Sequence, residues 1–115
     1  MNRAQRAQQL WSILVISAAN RQILSYDLVA KATGVVRPSI GDFLRPIQQY
    51  CQEKDLPPLT SLIVSEKSGI PGEGFIAAED VPSSQMQVFK FAWLELNAPR
   101  EEELVDAYSR APDSR

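Results

Sequence analysis

The first segment of the chain carries apolar residues at helical spacing. Within residues 4 to 20, Leu10 and Leu14 lie about one helical turn apart, after a mostly polar opening. Trp11 and Val15 widen the apolar surface beyond a single stripe. The pattern therefore predicts a core helix that other elements enclose.

Two more helices are predicted next, and a short turn joins them. Ser25 offers a side-chain oxygen to the free amides of a helix over residues 26 to 32, and Gly34 suits the left-handed position after its end. A third helix is expected over residues 39 to 53. Pro46 lies inside it and removes one backbone hydrogen bond, so the sequence predicts a kink or a break there.

The middle of the chain has the composition of strands and turns. Ile23 and Leu24 are enough for a brief strand, and positions 60 to 66 alternate as a longer strand does. Residues 75 to 77 can return as the partner of the longer strand. The loop between them contains three glycines: Gly69, Gly72 and Gly74. These features predict a hairpin with a broad tip.

Two helices are expected in the C-terminal third. Ser84 and Gln87 have the spacing of a capping box ahead of a fourth helix that includes Trp93. A short last helix follows, and the residues after it are too polar to pack against the rest of the domain. We expect one domain over residues 1–96, followed by an acidic C-terminal helix and a flexible tail over residues 97–115.

The order of these elements defines the expected architecture. It predicts an α+β domain of winged-helix-like type, in which the second and third helices form a helix-turn-helix and the hairpin forms a two-stranded wing. The first and fourth helices pack behind them. Nine apolar residues are expected in the core: Leu10, Leu14, Leu28, Phe43, Ile47, Leu62, Val64, Phe89 and Trp93.

The overall charge argues against a strongly basic polyanion binder. The 115 residues include 12 Lys and Arg residues against 14 Asp and Glu residues, a formal net charge of -2. Six of the acidic residues but three of the basic ones lie after position 94, so the rest of the chain is about neutral. The acidic C-terminal end is therefore a second surface that a partner could contact.

The residue types present argue against several kinds of chemistry. Histidine is absent, which removes the commonest general base and the commonest metal ligand. We therefore expect no enzyme activity, no metal and no small-molecule cofactor. Cys51 is the single cysteine, and we expect it to be a buried structural thiol.

The sequence also predicts where the protein resides. The longest apolar run, around residues 10 to 19, has about half of the roughly 20 residues that cross a bilayer. The N-terminus lacks the basic and then apolar order of an export signal, and a single cysteine cannot form an internal disulfide. We expect a cytoplasmic protein without membrane contact.

Polar side chains surround the predicted turn between the second and third helices. Tyr26, Arg37 and Arg45 are expected on one exposed face, with Lys67 at the mouth of the wing. These four residues are the candidate nucleic-acid contacts, and the three wing glycines would let the backbone approach a partner closely. A solvated surface and ordinary turn chemistry are the alternative interpretation.

Three strings follow one another in the central part of the chain: SYDLVAKATG, RPSIGDFLRPI and LPPLTSLIVSEKSGIPGEGF. In this order they resemble the C-terminal winged-helix-like domain of the alkylguanine-DNA alkyltransferases and alkyltransferase-like proteins, over Ile23 to Ile76. In that family a tyrosine-containing string starts the helix-turn-helix, and Tyr26 and Ala30 match it. The family's recognition helix carries an alanine-valine-glycine stretch, whose counterpart here is residues 39 to 41.

Two departures from the family's pattern bear on activity. The family's arginine finger would fall near Pro38, so Arg37 is displaced by one position. The family's reactive string of proline, cysteine, histidine and arginine is replaced by Leu-Thr-Ser-Leu at residues 59 to 62. Without the acceptor thiolate and its activating histidine, the resemblance implies the scaffold without alkyl transfer.

Two functions from different classes remain open. The first is a non-catalytic alkyltransferase-like module that binds duplex DNA weakly or with a partner's assistance, with the third helix in a groove and the wing on phosphates. The alternative is a small acidic protein-interaction module, either a regulator or an immunity-type inhibitor, that binds a protein partner. A steep loss of affinity for duplex DNA with rising salt would favour the first.

Overall fold

The computed structural model describes residues 1–66 and 80–112. Within these ranges the chain is mostly helical with a small two-stranded sheet, an α+β arrangement. The helices are α1 (Arg3–Ala19), α2 (Tyr26–Thr33), α3 (Arg37–Glu53), α4 (Val81–Lys90) and α5 (Glu101–Arg110). The strands are β1 (Leu24–Ser25) and β2 (Ile63–Val64), and 3-10 turns span Leu59–Leu62 and Trp93–Glu95.

Helix α1 is a central element of the core, as its pattern predicts. Its first turn is closed by a capping box, in which Gln5 N donates to the Asn2 side chain (2.8 Å) and Asn2 N donates to the Gln5 side chain (3.0 Å). The helix packs against α3 and α5, and it also contacts both 3-10 turns. Leu10 and Leu14 are buried in the shared core.

Helices α2 and α3 form a pair joined by the turn of residues 34–36. Ser25 Oγ accepts a hydrogen bond from Leu28 N (3.0 Å) at the start of α2, and Gly34 has a φ of 75° after its end. Both features are as the sequence predicts. Helix α3 begins at Arg37, two positions before the predicted start, because a proline in the first turn has no amide hydrogen to leave unpaired.

Helix α3 continues through Pro46, so there is no break in it, and the kink given as the other outcome stays a prediction. Pro46 is fully buried and lines a small pocket together with Ala4 of α1 and Leu104 of α5. Packing of α3 against both helices stabilises this segment and offsets the hydrogen bond that the proline cannot donate.

The strand predicted over residues 60 to 66 is wrong over most of its length. Residues 59–62 form a 3-10 turn, and β2 pairs in parallel with β1, Leu24 with Ile63 and Ser25 with Val64. All residues from 59 to 64 are buried, so the alternation of polar and apolar types does not mark an exposed and a buried face. The expected return strand and the tip of the wing lie outside the described residues.

Helix α4 differs from the prediction at both ends. It begins at Val81, where Asp80 caps it by accepting a hydrogen bond from Ser83 N (3.1 Å), rather than at the predicted capping box. It ends at Lys90, and Trp93 lies in the following 3-10 turn. There the indole Nε1 donates to Val88 O (2.8 Å), which holds the chain against the end of α4.

The predicted core is confirmed except at its edges. Six of the nine residues are buried: Leu10, Leu14, Ile47, Leu62, Val64 and Trp93. Phe43 and Phe89 are half-buried and pack against the core. Leu28 is 52% exposed, so its assignment to the core is wrong. The short α2 turns the next residue, Val29, inward instead, and neighbouring positions on a helix point about 100° apart.

Helix α5 packs against both α1 and α3. Leu104 and Ala107 are buried in this contact, and Arg110 forms an ion pair with Glu53 at the end of α3. No helix in the described part of the chain is both long and apolar enough to cross a membrane.

Candidate functional site

The α2–α3 pair brings two of the predicted site residues together. Tyr26 is the first residue of α2 and Arg37 is the first residue of α3. The Arg37 guanidinium lies 5.6 Å from the centre of the Tyr26 ring, a cation–π distance. Its Nε lies 3.1 Å from Asp27 Oδ1, and its Nη2 donates to Glu66 Oε2 (2.8 Å). We call Tyr26, Asp27, Arg37 and Glu66 the Arg37 cluster.

Glu66 connects the starts of the two helices. Its Oε1 accepts a hydrogen bond from Asp27 N (2.7 Å) while its other oxygen holds Arg37. The backbone hydrogen bond from Asp27, together with the charge of Arg37, lowers the pKa of the Glu66 carboxyl. Arg37 therefore faces two carboxylates, and its positive charge is balanced within the protein.

Two large apolar side chains beside the Arg37 cluster are exposed. Leu28 follows Asp27 in the chain and is 52% exposed, and Val36 precedes Arg37 and is 67% exposed. The ion pair between Asp27 and Arg37 links the helix ends from which these side chains project. Apolar groups thus adjoin charged groups at this end of the molecule, a mixture that also occurs at protein interfaces.

The outward side of α3 carries small residues in its first turns. Pro38, Gly41, Arg45 and Gln52 share one face of the helix, because their positions fall within about 60° at 100° per residue. We call them the outward stripe, and Pro38, Gly41 and Gln52 are exposed. A Cβ atom at Gly41 would have no heavy atom within 4 Å, so this part of the helix is open to close approach.

Arg45 belongs to the outward stripe by position, yet its guanidinium contacts the C-terminal part of the chain. Nη1 donates to Tyr108 Oη (3.2 Å) and lies 3.3 Å from Asp42 Oδ1, and Nη2 donates to Pro112 O (3.0 Å). The side chain is 20% exposed. The expectation that Arg45 is an exposed residue of the same face as Arg37 is therefore wrong.

Asp42 is the centre of this second set of contacts. Arg3 Nε donates to its Oδ2 (2.9 Å), and Tyr108 Oη donates to its Oδ1 (2.8 Å). Partial burial acts to raise the pKa of Asp42, but these hydrogen bonds and the charges of Arg3 and Arg45 outweigh it and lower the pKa. We call Arg3, Asp42, Arg45 and Tyr108 the Tyr108 cluster.

The Tyr108 ring interacts with two cations. The guanidinium carbons of Arg3 and Arg45 lie 4.0 Å and 4.8 Å from its centre. The Tyr108 cluster therefore joins α1, α3 and α5 through both hydrogen bonds and ring contacts.

The four predicted nucleic-acid contacts do not form one group. Tyr26 and Arg37 are adjacent, and Arg45 is in a different cluster. Lys67 and the wing glycines Gly69, Gly72 and Gly74 lie outside the described residues.

The segment that stands in place of the family's reactive string is buried. Thr60 and Ser61 lie in the 3-10 turn, and within the described residues neither hydroxyl has a hydrogen-bond partner. Gln85 Nε2 donates to Ser61 O (2.8 Å) and connects the turn to α4.

Cys51 is buried, as the sequence predicts. Burial raises the pKa of its thiol to about 12, although a backbone hydrogen bond at Leu59 acts to lower it.

A small pocket of about 80 Å³ lies beside the Tyr108 cluster. It is lined by Arg3, Ala4, Pro46, Leu104, Val105 and Tyr108. Sites for drug-sized molecules usually have volumes of about 300–1,000 Å³, so this pocket is smaller than a typical small-molecule site. Among the described residues, no three His, Cys, Asp or Glu side chains are grouped so that they could hold a metal ion.

Comparisons with known proteins add no assignment to this geometry. No protein-family model, no curated protein and no solved structure matches the chain. The functional argument therefore depends on the two clusters and the outward stripe.

Proposed function

We propose that this chain is a non-catalytic, winged-helix-like module of the alkyltransferase-like type, and that it binds nucleic acid weakly through the α2–α3 end. The observation that carries the proposal is the helix pair itself. Two helices joined by a short turn at Gly34 are the elements that a helix-turn-helix requires, and in that motif the second helix enters a groove of DNA.

The outward stripe supports the same proposal. The major groove of B-DNA admits an α-helix, and Pro38 and Gly41 leave the outer side of the first turns of α3 open to close approach. Arg37 and Tyr26 adjoin this surface and can contact a phosphate, which would replace the carboxylates that now hold Arg37.

The same contacts explain why binding is expected to be weak. Affinity for DNA comes largely from cations that displace counterions from phosphates. Asp27 and Glu66 compete with phosphates for Arg37, and Arg45 is engaged by the Tyr108 cluster. The protein would therefore bind weakly, or with the assistance of a partner that adds contacts.

The first prediction tests whether Arg37 contacts nucleic acid. Substituting D27N/E66Q removes both charges that balance Arg37, so affinity for a labelled 20-base-pair duplex should rise on the order of tenfold at 50 mM salt. Fluorescence anisotropy measures the affinity, and adding R37Q should abolish the gain.

A matched control removes two exposed acidic side chains elsewhere. The variant E95Q/D106N changes the net charge by the same amount, at positions outside the α2–α3 end. An equal gain in E95Q/D106N would mean that overall charge, and not Arg37, limits binding. If neither the wild-type protein nor D27N/E66Q binds duplex DNA at 50 mM salt, the proposed function is wrong.

A protein partner is the second candidate, favoured by the exposure of Leu28 and Val36. Under this alternative the chain is a small acidic regulator or inhibitor, and the apolar pair is the centre of its interface. The second prediction is that L28S/V36S abolishes recovery of a specific partner from the native cell, while I16S, an exposed apolar residue on α1, does not. Equal recovery of the partner by the wild-type protein, L28S/V36S and I16S would contradict this interface.

A further inference from the structure

The guanidinium of Arg45 does not lie on the helix face on which its backbone position places it. Its position places it on the outward stripe with Pro38, Gly41 and Gln52, and it is the only cation among these four residues. Its guanidinium, however, extends sideways to Tyr108 of α5 and to the Pro112 carbonyl. The positive charge of Arg45 is therefore not presented on the outward stripe.

Arg45 is held by Tyr108 and Pro112, at the C-terminal end of the described chain, and by Asp42, three residues earlier in α3. We propose that the last turn of α5 and residues 111–112 form an autoinhibitory contact, which withholds Arg45 from nucleic acid. When this contact opens, Arg45 returns to the outward stripe and adds one phosphate contact at the third turn of α3. The inference rests on the proposed function, because it concerns the regulation of the same surface.

Opening the contact does not require α5 to leave the body of the protein. Leu104 and Ala107 remain buried, and the ion pair between Arg110 and Glu53 anchors the end of the helix. Residues 111–112 lie beyond this anchor, and the Pro112 carbonyl holds Arg45 through a single hydrogen bond. A small movement of this short segment is therefore enough to release one of the partners of Arg45.

The remaining partners of Arg45 are satisfied without it. Asp42 keeps its hydrogen bonds from Arg3 and from Tyr108 when Arg45 moves away. One atom of Arg45 gains a partner on leaving, because Nε is buried and has no hydrogen-bond partner among the described residues. A buried donor without a partner is unfavourable, and exposure to water or phosphate removes that penalty.

Two truncations test the contact. A chain that ends at Arg110 lacks the Pro112 carbonyl, so Arg45 keeps only Asp42 and Tyr108 as partners and should leave them more readily for a phosphate. A chain that ends at Pro112 keeps a carboxylate at that place and should hold Arg45 at least as firmly. Affinity for the 20-base-pair duplex should rise on the order of tenfold at 50 mM salt in the shorter chain. The dependence of log affinity on log salt should also become steeper by about one.

The substitution R45Q assigns the gain to Arg45. In the chain that ends at Arg110 it should abolish the gain, and in the full chain it should leave the affinity nearly unchanged. Side-chain NMR supplies a readout without DNA, because the Arg45 Nε–H should exchange with solvent faster in the shorter chain. A gain that persists with R45Q, or unchanged exchange, would overturn the autoinhibitory contact.

The outcomes separate this inference from the proposed function. If D27N/E66Q binds DNA more tightly but the two truncations bind as the full chain does, the α2–α3 surface stands and the autoinhibitory contact is wrong. If no form of the protein binds duplex DNA at 50 mM salt, both are wrong.

Discussion

Glu53 joins the ends of two helices through a bidentate ion pair. Its two oxygens accept hydrogen bonds from Arg110 Nε (2.6 Å) and Nη2 (2.8 Å), and Gln49 Nε2 also donates to it (2.7 Å). The hydrogen bond from Arg110, followed by that from Gln49, lowers the pKa of Glu53 to about 2. The ionised carboxylate therefore stabilises the folded state.

The sign of this pKa shift gives a prediction for acid stability. The pKa of Glu53 is lower in the folded than in the unfolded state, so its contribution is present above the unfolded pKa and disappears as the pH falls through about 2. We expect E53Q to lower the free energy of unfolding at pH 7 by less than about 1 kcal/mol, since the pair is partly solvated, and to have a much smaller effect near pH 2.

Urea unfolding at pH 7, 5, 3 and 2 measures this difference. E95Q is the control, because Glu95 is exposed and the substitution removes the same charge at a position outside this ion pair. A difference between E53Q and the wild-type protein that stays constant from pH 7 to pH 2 would contradict the assignment.

At the scale of elements, the 3-10 turn after α4 places a large aromatic residue in the core. The Trp93 ring lies 5.7 Å from the Trp11 ring in an edge contact and 4.6 Å from the Phe91 ring. Its indole nitrogen donates to Val88 O. The chain leaves the helix at Lys90 and still buries Trp93 against α1, which shows that burial of this side chain does not require helical spacing.

Truncation of Trp93 should therefore be costly. We predict that W93A lowers the free energy of unfolding by about 3–5 kcal/mol, because a large cavity forms beside α1. L94A is a matched control at the next position, where the side chain is 68% exposed and the change should be within about 0.5 kcal/mol. Thermal or urea unfolding measures both, and an equal effect of the two variants would place Trp93 outside the core.

Helices were more predictable from the sequence than the strands. Long periodic segments such as α1 and α3 are set by apolar faces, which the sequence displays directly. The segment around Thr60 is different, because its two hydroxyl residues are buried and its conformation depends on the helices packed around it. Alternation of polar and apolar residues is typical of a strand with one solvent-exposed face, and residues 59 to 64 have no such face because all of them are buried.

At the scale of the whole molecule, the candidate site was predictable only where its contacts are local. Tyr26 and Arg37 begin the two helices of one predicted pair, so their proximity follows from the turn at Gly34. Arg45 meets Tyr108, which is distant in the chain, and no local pattern indicates that contact. The placement of α5 against α3 decides which arginine is available, and this placement is a property of the tertiary packing.

The parallel ladder between β1 and β2 has a consequence for the order of folding. Its two residue pairs, Leu24 with Ile63 and Ser25 with Val64, close a loop that contains α2 and α3. Closing a long loop costs entropy before any contact forms, and the hydrogen bonds of only two residue pairs offset little of that cost. We therefore expect the ladder to form after α1 and α3 have packed and brought the strands together. We expect the sheet to be a late product of helix docking, and the folding nucleus to be helical.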